Sequence, residues 1–232
     1  MPSRSDAEEH LRVIRSLMER ATFYRAIAAP AAAIGGSLAI VASFAFGSWL
    51  PLLWPAEQGA PVREVMPGSF TWLWTTVLVV TASVNFLFLW RDAQRRGDPF
   101  VSPGMKFALR AVLPSYVVAA FWTWQFSYAA NPTILVPVWL ICHGVALLAT
   151  GHFAPRSLVW LGWAFLIAGL ALIDPVARSV HAFHDDPAAR LHHLLQAQMW
   201  MASTFGLFHL IYAACAWPRV RMEPAGMLPT DV

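Results

Sequence analysis

Histidines are the side chains in this chain best able to do chemistry. His143 and His209 each stand near the middle of a long apolar run, at 132–150 and 195–217. An imidazole in such a place has three uses. It can ligate the iron or magnesium of a haem or other tetrapyrrole axially, it can line a polar pocket for another ligand, or it can hydrogen-bond to a neighbouring helix. Gly144 and Gly206 lie close by in sequence and would leave room for a flat ring. The two runs point the same way along the chain's path, so spacing alone leaves open whether the rings meet. A second group, His181, His184, Asp185, Asp186, His192 and His193, surrounds a polar stretch. His181 and His184 are spaced to share a helical face. Imidazole and carboxylate together suit zinc or another divalent transition metal, which makes His181, His184, Asp185 and His192 the candidate ligands. The spacing contains no H-E-x-x-H. A solvated loop of interfacial histidines and a pH-responsive cluster are the other readings of the same residues.

Other chemistry is conspicuously missing from the sequence. Asn85 is a further polar side chain inside an apolar run, and no Asp, Glu or Lys falls at mid-run depth. Ion pumps and proton-coupled transporters place carboxylates along their paths, so this pattern weighs against them. Neither a phosphate-binding G-x-x-x-x-G-K-[ST], nor a dinucleotide G-x-G-x-x-G after a strand, nor a G-x-S-x-G elbow is present. Cys142 and Cys215 have no C-x-x-C partner and read as small buried hydrophobes. No catalytic residue is assigned, and the reading leans away from an enzyme.

The elements that must carry these histidines follow from composition. Of 232 residues, 58% are hydrophobic and 12% charged, against about a quarter charged in an ordinary soluble domain. Charge is confined between apolar stretches, because a charged side chain at the centre of a membrane span costs roughly 2.5–3.5 kcal/mol on insertion scales. A span needs about 20 residues. Six runs qualify, at about Ala26–Leu50, Phe70–Trp90, Phe107–Tyr128, Pro132–Thr150, Ser157–Ile173 and Leu195–Trp217. The fifth is the shortest, with Asp174-Pro175 read as its stop. Asp186-Pro187 reads as the cap and first turn of the last helix, which would begin well before its span. With the N-terminus inside, only Arg63, Arg178 and Arg190 of the 16 Lys and Arg face outward. The positive-inside rule therefore puts both termini in the cytoplasm. The net charge of +3 is explained by these topogenic arginines rather than by a nucleic-acid partner.

Residues 5–25 read as a cytoplasmic amphipathic helix, opened by a Ser5/Glu8 capping box and striped by Leu11, Ile14, Met18 and Ala21. It suits anionic lipid, a partner protein, or the chain's own loops. No cleavable signal precedes the first span, which must direct insertion itself. That span carries Ala31, Gly35, Ala39, Ser43 and Gly47 along one face, a seam for close helix packing within the chain, with a copy, or with a foreign partner. The inner link with Arg95-Arg96-Gly97-Asp98-Pro99 is accounted for by topology, with anionic headgroups or a cytosolic partner as the alternative. The expected fold is all-α: a polytopic six-helix transmembrane bundle at 26–217, preceded by the amphipathic helix at 1–25 and followed by a tail at 218–232.

The run Leu11-Arg-Val-Ile-Arg-Ser-Leu-Met-Glu-Arg20, continued by Ala21-Thr-Phe-Tyr-Arg-Ala-Ile-Ala-Ala-Pro30, resembles the opening of a family of uncharacterised bacterial multi-pass inner-membrane proteins. The similarity extends through about Gly36. It implies a bacterial inner-membrane location and brings no activity or site residues with it. Three functions stand as expectations: a non-enzymatic accessory or sensor subunit acting through a protein partner or homo-oligomer; a haem- or chlorophyll-type redox or pigment subunit using His143 and His209; and a small-molecule transporter or channel.

Overall fold

The computed structural model describes residues 29–45, 68–97, 100–101, 103–127, 132–151, 154–181 and 187–221. Every regular element among them is helical. In chain order they are α1 (Ala29–Ser43), α2 (Ser69–Arg96), α3 (Pro103–Phe126), a 3-10 turn (Pro132–Ile134) leading into α4 (Leu135–Ala149), α5 (Arg156–His181), α6 (Pro187–Met201), a π turn (Ala202–Gly206) and α7 (Leu207–Arg221). Four stretches are long and apolar enough to cross a membrane: Ser69–Arg95, Met105–Phe126, Arg156–Arg178 and His192–Ala216. The last runs through the π turn, so α6 and α7 form one rod. Helices α1 and α4 are shorter apolar helices. The N-terminal stretch at 1–25, Gly47 and the tail beyond Arg221 lie outside the described residues.

Two boundaries differ from the sequence reading. Asp174-Pro175 does not end the fifth helix: α5 continues through Pro175 to His181. A proline removes one backbone donor and disfavours the helical conformation before it, yet helices that bury apolar surface on both sides tolerate it. Val176, just beyond the proline, is 5% exposed, so the helix is still in contact with the rest of the chain past this point. Asp174 also pairs with Arg178 one turn on. The short apolar helix is instead the fourth. Its 15 α-helical residues span only about 22 Å at 1.5 Å per residue, and the preceding 3-10 turn adds a few ångströms.

The core lies between α4 and α5, with α1, α2, α6 and α7 contributing. Phe165, Val136 and Leu140 are fully buried there, together with Leu135, Ala197 and Met201. Lipid offers no hydrophobic driving force between helices, so contact depends on close fit and small residues. Gly144 shows how close that fit is. A Cβ built on it would stand 2.7 Å from the backbone nitrogen of Leu166 and 2.8 Å from the carbonyl oxygen of Gly162. Helices α4 and α5 therefore meet main chain to main chain. The seam on α1 is likewise used inside the chain: Ala31, Gly35, Ala39 and Ser43 are all buried. Gly35 backs onto Thr81 of α2, and Gly36 onto the carbonyl of Gly206 in the π turn.

The beginning of α2 is tied down twice. Phe70 stacks on Trp139 with ring centroids 5.7 Å apart. The indole of Trp74 donates to Gln198 Oε1 at 3.0 Å, and both side chains are buried. These contacts tie α2, α4 and α6 together at one end.

Candidate functional site

His143 and His209 meet. Helix α4 presents His143 towards α7, and the ring centroids lie 5.6 Å apart. What brings them together is the depth of each residue in its run and the packing of α5 against both helices. Phe165 of α5 contacts both imidazoles, at 4.7 Å from His143 and 5.2 Å from His209. Phe205, from the π turn, lies 5.3 Å from His143 and 5.0 Å from Phe165. The four rings form one cluster inside the helix bundle.

Each histidine is held by a specific hydrogen bond. The carbonyl of Phe205 can only accept, so His209 Nδ1 must carry the proton in their 2.7 Å contact. In the neutral ring this leaves Nε2 as the lone-pair nitrogen. The partner carbonyl belongs to the π turn, where the regular ladder is interrupted, and such turns recur at functional positions. His143 Nδ1 lies 2.9 Å from the hydroxyl of Tyr116 on α3. Either group can donate in that pair. His143 Nε2 is buried and has no hydrogen-bond partner among the described residues. An unsatisfied buried polar atom costs about 1–3 kcal/mol, so this nitrogen is the most conspicuous polar group of the interior.

The glycines next to the histidines do other work than opening a slot. Gly144 is consumed by the approach of α5, and Gly206 by the approach of α1 through Ile40. The sides of the two imidazoles are taken by Phe165 and Phe205. A tetrapyrrole ligated by both histidines would have to displace those two rings.

The second group of candidates is only partly within view. His181 is the last residue of α5, while His184, Asp185 and Asp186 lie outside the described residues. His192 is exposed and His193 buried, their rings 5.7 Å apart. Among the described residues no group of three or more His, Cys, Asp or Glu is placed to hold a metal ion. Cys142 and Cys215 are free thiols, one buried and one exposed.

Two polar residues of the interior escape a reading based on histidine alone. Tyr116 looks like one more aromatic in an apolar run, and its hydroxyl becomes significant only when α3 lies against α4. Gln198 is almost fully buried opposite Trp74. A glutamine inside an apolar run was the available signal for it.

These features mark an all-helical protein with the hydropathy of a membrane protein and a tyrosine–histidine centre in its interior. No protein-family model, curated protein or solved structure matches the chain.

Proposed function

We propose that the protein is a six-span subunit of a bacterial inner membrane, with both termini cytoplasmic, that works through protein contacts as a non-enzymatic accessory or sensor component. In this reading α1 is the described part of the first span, α4 is a short span, and the other four runs cross in full. The observation that carries it is the exposure of α2 and α3. In their most apolar stretches only 6% and 0% of residues are buried, against 22% and 33% in α5 and in the rod formed by α6 and α7. Two helices at the edge of the bundle thus each leave a broad face open to lipid or to another protein. Solubilising native membranes in mild detergent and identifying co-purifying proteins tests the proposal. A stable complex is expected, and a clean monomer with catalytic activity would sink it.

The contact between His143 and His209, with the partnerless Nε2 of His143, favours a second reading in which the cluster holds a transition metal, or a haem or other tetrapyrrole once Phe165 and Phe205 have moved aside. The absorption spectrum of protein isolated from its native membrane decides it. A Soret-type band that disappears in His143→Ala and His209→Ala supports the tetrapyrrole. Absence of both a band and a stoichiometric metal removes this reading.

A further inference from the structure

We propose that His143 and His209 hold a single copper(I) ion between their Nε2 nitrogens, an inference that rests on the metal form of the second reading above. The hydrogen bonds of the two rings already match those of metal ligands. A ligating histidine donates its other ring N–H to a carbonyl or similar acceptor, which fixes the tautomer and aims the free nitrogen. His209 does this through Nδ1 to the Phe205 carbonyl. His143 Nδ1 meets the Tyr116 hydroxyl, whose oxygen accepts from Nδ1–H when Nε2 takes a metal. Both rings thus spend Nδ1 and keep Nε2. That of His143 is buried and has no partner among the described residues.

The separation of the rings suits an ion between them better than a direct bond. Their centroids are 5.6 Å apart. With ring bonds near 1.33 Å each nitrogen lies about 1.15 Å from its centroid, so the two Nε2 atoms come no closer than about 3.3 Å. A hydrogen bond needs about 2.7–3.2 Å. Two metal–nitrogen bonds of about 2.0 Å span up to about 4 Å, and they leave the ring planes free to take the 51° angle seen here. Charge then selects the ion. Two neutral imidazoles bring no negative charge, and among the described residues no third His, Cys, Asp or Glu joins them. Phe165 and Phe205 wall the pair with apolar rings. The cost of taking an ion out of water grows with the square of its charge, so a divalent ion would carry about four times the cost of a monovalent one. Sodium and potassium seek oxygen donors. Copper suits imidazole, and its monovalent, closed-shell form is satisfied by two donors in line.

The test uses full-length protein in lipid nanodiscs, carrying Cys142→Ala and Cys215→Ala so that no thiol competes. It is given Cu(I) without oxygen and then washed with a competing Cu(I) chelator. One equivalent of copper is expected to remain, with two nitrogen neighbours and no sulfur by X-ray absorption. His143→Leu and His209→Leu should each abolish retention. Tyr116→Phe, which keeps both ligands and removes only the acceptor at Nδ1, should weaken binding about 10–100-fold with helical content unchanged. No retained copper, a sulfur neighbour, equal retention in the double variant His143→Leu/His209→Leu, or unchanged affinity in Tyr116→Phe would overturn the proposal. The same loading with Zn(II) separates it from the reading beneath it. One equivalent of zinc and none of copper would overturn the monovalent site and leave the metal reading standing. Retention of neither metal would remove both.

Discussion

Tyr116 and His143 illustrate how a membrane interior handles polar groups. Each alone would be a cost, and the 2.9 Å contact between them offsets part of it. In membranes such bonds average about 0.6 kcal/mol by double-mutant cycles, with an upper end near 1.7 kcal/mol. A cycle of Tyr116→Phe and His143→Phe, read by thermal unfolding in detergent, should therefore return a coupling of about 0.5–1.5 kcal/mol. The same cycle between Tyr116 and His209 should return a smaller value, because His209 spends its Nδ1 proton on the Phe205 carbonyl. A larger coupling to His209 would mean that the cluster acts as one network and not as two separate bonds.

At the scale of elements, the glycine of α4 and the proline of α5 make opposite predictions. A Cβ at position 144 would meet backbone atoms of α5, which cannot swing aside like a flexible side chain. Gly144→Ala should cost about 1–3 kcal/mol, the usual penalty of overpacking. Val145→Ala, one residue away and 42% exposed, should stay within about 0.5 kcal/mol. The two melting temperatures in the same detergent check this directly. Pro175 already lies within a continuous helix, so Pro175→Ala restores a missing donor without changing the path of the chain. It should raise the melting temperature, with helical content by circular dichroism unchanged. A gain in helix content would show that the proline does terminate α5. Both effects were hidden in the sequence for one reason. A glycine or proline states what the backbone is able to do, and only the neighbouring helix determines whether that freedom is used.

At the scale of the whole molecule, the proposed topology follows from charge and the count of six from the apolar runs of the sequence, four of which form helices long enough to cross. If all six runs cross, a reporter fused after Val232 is cytoplasmic. If short α4 fails to cross, the number of spans is odd and the reporter appears outside. Paired fusions after Gly151 and after Val232, one active only in the cytoplasm and one only outside, are expected to report cytoplasmic at both positions. Hydropathy and the confinement of charge were enough to anticipate an all-helical chain with long apolar runs, because the bilayer constrains composition residue by residue. The long last helix was equally legible, since Asp186-Pro187 is a local start signal. Proximity was not legible. That His143 and His209 touch, that Tyr116 joins them, that Gln198 answers Trp74 and that the small residues of α1 are spent inside the chain all depend on the order and rotation of helices in the bundle. Those are set by the summed fit of many small contacts between segments distant in sequence, and no local pattern encodes them.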